Sequence, residues 1–128
     1  MRVWSGKRFG VDTEDVDGHT FEIVRTPQAA SVVLLDDEGR TLLVEQDRPA
    51  VGARLTELVA GLVDPGETPR QAAERELAEE AGLAAEGFEQ LLVLHTSPGM
   101  SEEVSTVFLA HSPRPLPQGP QREPAEQG

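Results

Sequence analysis

The order of apolar and polar positions along the chain predicts a mixed set of strands and one well-bounded helix. His19 to Arg25, HTFEIVR, reads as a strand, and Pro27 interrupts the pattern after it. Ala30 to Leu35 is a short apolar run of buried-strand type. DDEGR, residues 36–40, is a turn in which Gly39 can take positive φ. TLLVEQ, residues 41–46, is the returning strand, so the two predict a hairpin. Arg48 to Ala53 is a loop and Leu55 to Ala60 a further strand. Gln90 to His95 and Val104 to Ala110 predict two more strands, joined by the loop SPGMSEE, residues 97–103. Residues 1–18 read as polar and turn-rich. From Ser112 to Gly128, proline, glycine and glutamine dominate, the composition of a disordered tail. The chain therefore divides into an N-terminal strand segment, 1–25, a core, 26–111, and a proline-rich tail, 112–128.

The helix is the best-defined element. Pro65-Gly66 marks a turn, Thr68 suits the N-cap, Pro69 the first helical position, and Gln71 completes a capping box. Gly82 is a natural stop. The spacing predicts a helix over Pro69 to Ala81 with Ala73, Leu77 and Ala81 as its apolar stripe, continued by Ala84. Glu76 and Glu80 fall directly beside that stripe and Glu79 a little further round.

Composition narrows the class. The chain has 128 residues, suiting one domain, and 38% of them are apolar, enough for a modest core. It has no cysteine, so thiolate metal sites and disulfides are excluded, which fits a cytoplasmic location. No stretch has the pattern of a signal peptide, and no apolar run is long enough to span a bilayer. The net charge of −12 gives no overall attraction to nucleic acid or anionic lipid. An anionic substrate would need local arginines or a divalent metal as intermediary.

That requirement bears on the stretch RELAEE, residues 75–80. Three carboxylates on one helical face repel one another by roughly 0.2–0.5 kcal/mol per pair. A divalent ion at their focus reverses the sign of the term. Mg²⁺ is a hard cation that takes oxygen ligands, and it could neutralise an anionic substrate and activate a bound water.

The whole segment from Gly61 to Leu83, GLVDPGETPRQAAERELAEEAGL, carries a fixed spacing. Gly61 is followed by five residues and then Glu67; after seven intervening residues come Arg75, Glu76 and Leu77, then Glu79, Glu80, Gly82 and Leu83. It resembles the box of the Nudix hydrolases, which cleave nucleoside diphosphates linked to another moiety. The resemblance implies that Glu76, Glu80 and Glu79 bind Mg²⁺, with Mn²⁺ as the alternative ion, aided by the backbone carbonyl of Ala60. It implies an ion pair of Glu67 with Arg75, and close backbone approach at Gly61 and Gly66.

Pro98 lies fifteen residues beyond Leu83. That loop is similar to the one marking the ADP-ribose pyrophosphatase branch of the family, which implies that Glu102 is a further metal ligand or the general base. The run LLVEQDRPAVGARLTELVAGLVDPGE is similar to the same branch, with Arg48 and Arg54 as candidate phosphate contacts. Trp4, Phe9 and Phe21 are the aromatics that could stack an adenine, and the N-terminal segment is expected to cross to a second subunit of a homodimer. His19, His95 and His111 show no metal-ligand spacing.

The fold so implied is α/β: a Nudix-type mixed sheet with the box helix packed on it, and the proline-rich tail in place of the usual C-terminal helix. The expected activity is metal-dependent hydrolysis of ADP-ribose or a similar small nucleoside diphosphate sugar to AMP and a sugar phosphate. The alternatives are a Nudix hydrolase of another nucleotide and a silent Nudix-like module that binds nucleotide or protein.

Overall fold

A computed structural model of the chain describes residues 1–121. Its elements run β1 (Arg2–Ser5), β2 (Gly10–Val16), β3 (His19–Arg25), β4 (Ala29–Leu35), β5 (Val44–Arg48), β6 (Ala53–Glu57), β7 (Val59–Leu62), α1 (Pro69–Ala81), β8 (Leu83–His95) and β9 (Val104–Pro115).

The strands form three sheets. The central one has the order β7-β4-β9-β8. Within it β4 runs parallel to β9 from Ala29↔Ser105 to Leu35↔His111, and antiparallel to β7. A parallel pair needs a long crossover, and here the chain between β4 and β9 contains the box helix. The alternation in β4 sets its burial: Ala30, Val32 and Leu34 point into the core while their neighbours are half-buried. They meet Ala72, Ala73 and Leu77 of α1, together with Val59, Phe108 and Ala110. Leu77 is fully buried, which stabilises the helix–sheet contact by about 1.5–3 kcal/mol.

The helix begins and ends at the residues its local chemistry dictates. The Thr68 hydroxyl accepts from the Gln71 amide at 3.1 Å and the Gln71 side chain accepts from the Thr68 amide at 2.9 Å. Such a cap stabilises a helix by about 1 kcal/mol. Gly82 closes the helix in the left-handed region, φ 67°, with its N–H donating to the Ala78 carbonyl at 2.9 Å. Ala84 lies beyond this stop, in β8, and so is no part of the helical stripe.

Several sequence expectations are corrected. Residues 1–18 are not mainly turn; β1, β2 and β3 form a separate antiparallel sheet. The expected hairpin of residues 30–46 is reduced to one bridge, Leu35↔Thr41, because β5 pairs with β6 instead. The strand expected over residues 55–60 is two, β6 and β7, which belong to different sheets. The tail begins later than residue 112. Residues 112–115 complete β9 opposite β8, where Leu83 pairs with Pro115. Beyond them the chain folds back on the helix end: the Leu116 amide donates to the Gly82 carbonyl at 2.8 Å and the Gln121 amide to the Glu79 carbonyl at 2.7 Å. Residues 122–128 of the expected tail lie outside the described residues.

Leu91, Leu92, Val93 and Leu94 on edge strand β8 are each 44–49% exposed. A register shift between Gln90 and Leu92 interrupts their ladder with β9. Among the described residues no helix is long and apolar enough to cross a membrane.

Candidate active site

The loop that leads into α1 is folded by its own backbone and by one carboxylate. The Glu67 amide donates to the Asp64 carbonyl and the Glu67 side chain accepts from the Asp64 amide, both at 3.0 Å. Gly66 supplies the positive φ, 81°, that the turn requires. Glu67 therefore arrives with its second oxygen directed at the helix.

There it meets Arg75. The guanidinium forms a fork on Glu67, with Nε at 2.8 Å from one oxygen and Nη2 at 3.0 Å from the other. Nη2 also donates to the Leu62 carbonyl at 3.0 Å, tying helix to β7. Nη1 donates to Glu76 at 2.7 Å and to Glu79 at 3.3 Å. The expected Glu67–Arg75 pair thus exists, and the arginine reaches further than the spacing alone implied. It offsets the repulsion along the RELAEE face. The Arg75 hydrogen bond, above all, holds the Glu67 carboxyl below the usual carboxylate range. The Arg75 guanidinium is itself pushed up, first by Glu67 and then by Glu76.

Glu76 is 3% exposed, a buried carboxylate on a helix whose other buried residues are Ala72, Ala73 and Leu77. Gly61 on β7 explains how it fits. A Cβ at Gly61 would collide with the Glu76 carboxyl group, so glycine there lets strand backbone and carboxylate lie in contact. Ala60 precedes it on the same strand, opposite Ser31 of β4. Glu80 turns the other way. It accepts from the side-chain amide of Gln46 at 3.1 Å, and its charge raises the basicity of Arg48, second to that of Glu57. Gln46 is itself buried on β5. Nothing in the periodicity of TLLVEQ singled it out.

Glu76, Glu79 and Arg75 line a cleft of about 460 Å³ with Asp64, Lys7 and Arg8 among the other walls. The last two come from the turn between β1 and β2, which sequence reasoning passed over. The available signal was that Lys7-Arg8 is the only adjacent pair of basic residues in the chain.

Other expected site residues are placed elsewhere. Arg48 forks onto Glu57 at 2.8 and 2.6 Å. Arg54 bonds Glu45 at 3.1 Å and Asp47 at 2.9 Å. Both cross-link the β5–β6 hairpin, and neither lines the cleft. Glu102 accepts from Arg25 at 3.1 Å and from the Thr26 amide at 3.2 Å. Its own amide donates to the Val24 carbonyl at 3.1 Å, so the loop carrying Pro98 is docked on β3 of the N-terminal sheet. Pro98 is exposed on that loop.

The donors that α1 and β7 bring to the cleft are all oxygens: the carboxylates of Glu76 and Glu79 and the backbone beside Gly61, with the Glu80 carboxylate on the same helix turned toward Gln46. That set suits a hard divalent cation, and the glycine leaves room at it. Among the described residues no three acidic or histidine side chains are already gathered in metal-holding geometry; Arg75 Nη1 stands between Glu76 and Glu79 instead. The residues fit such an ion provided the arginine gives up these two contacts and Glu80 turns from Gln46 toward the cleft.

An α/β fold whose capped acidic helix packs against a glycine-bearing strand defines a class. The NUDIX domain family model matches residues 25–127, and the chain belongs to that family. It is 36% identical over 114 residues to the ADP-ribose pyrophosphatase of Bacillus subtilis (strain 168), an alignment covering 85% of this chain and 62% of that protein. The same coverage and identity hold for the methanol dehydrogenase activator of Bacillus methanolicus. The ADP-ribose pyrophosphatase of Mycobacterium tuberculosis is 46% identical over 92 residues, 71% of this chain and 44% of that one. The matched part of this chain thus spans at most 62% of the length of these relatives. The crystal structure of an ADP compounds hydrolase superposes with a TM-score of 0.79 at 24% identity, covering 98% of this chain and 70% of that one. The mixed sheet with the box helix packed on it is therefore the Nudix fold.

Proposed function

We propose that the chain is a pyrophosphohydrolase of ADP-ribose or a similar nucleoside diphosphate sugar, dependent on Mg²⁺, with Mn²⁺ as a substitute. The observation that carries this reading is the acidic helix face at the cleft, where Glu76 and Glu79 stand in the wall and Gly61 gives Glu76 its room. Relatives named as ADP-ribose pyrophosphatases support the choice of substrate.

In this reading Glu76, Glu79 and Glu80 hold the divalent ion, with the Ala60 carbonyl as a further donor. When bound, the ion supplies charge neutralisation for the diphosphate and lowers the pKa of a water. The chain's own groups do the rest. Arg75 keeps its fork on Glu67 and so fixes the loop against the helix. A carboxylate takes a proton from the attacking water as its oxygen bonds to one phosphorus. The bridging P–O bond breaks, and the two products are AMP and a sugar phosphate. Glu79 suits the base because it already lines the cleft; Glu102 could serve only after leaving Arg25. Arg48 and Arg54 could reach phosphate only by exchanging their present carboxylate partners.

The direct test is product release from a panel of nucleoside diphosphates with Mg²⁺, with Mn²⁺ and with chelator. The expected result is AMP from ADP-ribose, lost in chelator. Cleavage of a different nucleotide alone would reassign the substrate, and metal-independent binding without cleavage would support the silent module.

We also infer a homodimer. The exposed apolar edge at Leu91–Leu94 favours burial against a second copy. Light-scattering mass should give twice the chain's 13.8 kDa; a monomer at all concentrations would reject the inference.

A further inference from the structure

The β1–β2 turn is built to present charge. The Gly6 amide donates to the Phe9 carbonyl at 2.8 Å, closing a tight loop whose tip is Lys7-Arg8. Trp4 packs across the turn, and a Cβ at Gly6 would run into its ring. The Trp4 and Phe9 rings meet with centroids 5.4 Å apart. These two aromatics brace the turn, and the tip they hold lines the same cleft as Glu76 and Glu79.

Most cations among the described residues of this acidic chain are engaged. Of the ten lysines and arginines in the described residues, seven sit in ion pairs. Lys7, Arg8 and Arg114 are the three that form none among the described residues. Two of those three share one cleft, beside carboxylates with which they do not pair. Positive charge held at a braced turn and left uncommitted is positioned for an incoming anion.

We propose that Lys7 and Arg8 form a cationic rim that binds the diphosphate of the substrate, acting in the same chain as the acidic helix. This rests on the hydrolase reading and assigns it a positioning pair. Arg8 can fork two non-bridging oxygens, while Lys7 acts as a compact charge. The rim neutralises phosphate oxygens that the helix carboxylates cannot, and it offsets the repulsion that a net charge of −12 imposes on any diphosphate approaching the cleft.

The test is the double variant Lys7→Gln/Arg8→Gln beside the charge-keeping exchange Lys7→Arg/Arg8→Lys, each checked by melting temperature. With ADP-ribose and Mg²⁺, KM should rise by about tenfold or more in the Gln variant while kcat changes little. The salt dependence of KM should flatten. The exchange variant should restore both. In parallel, the wild type should gain melting temperature on adding inorganic pyrophosphate with Mg²⁺, and the Gln variant should lose that gain. An unchanged KM, or a loss that the exchange variant fails to restore, would overturn the rim. If the wild type cleaves none of the panel, the hydrolase reading fails alone and the pyrophosphate shift still decides the rim; no shift in the wild type would remove both.

Discussion

Glu80→Gln should leave the fold intact and lower kcat on ADP-ribose by about 10²-fold or more. The carboxylate accepts a hydrogen bond from the buried Gln46 at 3.1 Å. A glutamine carbonyl can accept the same bond, so the shape and this contact are kept. What disappears is one negative charge next to the site where, in the proposed function, a divalent ion is held. Losing one electrostatic contact to a developing charge costs about 10²–10³-fold in well-studied sites. The control is Glu74→Gln. Glu74 pairs with Arg70 at 2.9 Å, half exposed, and does not line the cleft. Its loss should leave turnover and Mg²⁺ response alone. Three readouts decide the matter: kcat with Mg²⁺, melting temperature without it, and the Mg²⁺-induced shift in melting temperature. Glu80→Gln should differ from the wild type in the first and third only. Equal activity would remove Glu80 from the ligand set.

How far such a site is legible in sequence depends on whether its cause is local. The helix bounds follow from Thr68, Pro69, Gln71 and Gly82, each acting within one turn, and the structure has the same bounds, Pro69–Ala81. The strand over His19–Arg25 also has the expected limits. The N-terminal hairpin was hidden because all of β1 and most of β3 are exposed, so burial imposes no alternation on them. The partner of β5 was a choice between β4 and β6 that no residue in β5 records. The end of β9 was masked by Pro113 and Pro115. Beyond His111 this strand no longer pairs with β4, and prolines are tolerated where one side of a strand has no ladder. At the site, the family resemblance named the glutamates and the Glu67–Arg75 pair, but not the reach of Arg75 to Glu76 and Glu79. That Arg75 would span Glu67, Glu76 and Glu79 depends on the loop geometry, and that Lys7 and Arg8 would face them depends on how two sheets pack.

Arg75 carries the second large effect, on stability. Arg75→Met removes a guanidinium bonded to Glu67 through both oxygens, to Glu76, to Glu79 and to the Leu62 carbonyl. The thioether replaces much of the stem's packing but none of the charge. Glu76 is then a buried carboxylate without its arginine contact, and Glu67 loses the bond that most lowers its pKa. Breaking such a network from one side costs about 3–5 kcal/mol, measurable by urea denaturation at neutral pH. The pH dependence gives the sign independently. A carboxylate whose folded pKa is depressed adds stability above its unfolded value, near pH 4.3, and loses it as pH falls through the folded value. In the wild type Glu67 makes that contribution; in the variant it does not. The two stability curves should therefore be furthest apart at neutral pH and converge as the medium is acidified below about pH 4. Mg²⁺ should act in the opposite sense to acid on the ordering of the two proteins. In the wild type an arriving cation competes with Arg75 for Glu76 and Glu79, whereas in the variant it meets carboxylates in want of a countercharge. Its addition should raise the melting temperature of Arg75→Met more than that of the wild type. A variant of undiminished stability would mean that Arg75 offsets none of the helix's repulsion. A smaller Mg²⁺ shift than the wild type's would mean that the ion does not bind where the arginine stands.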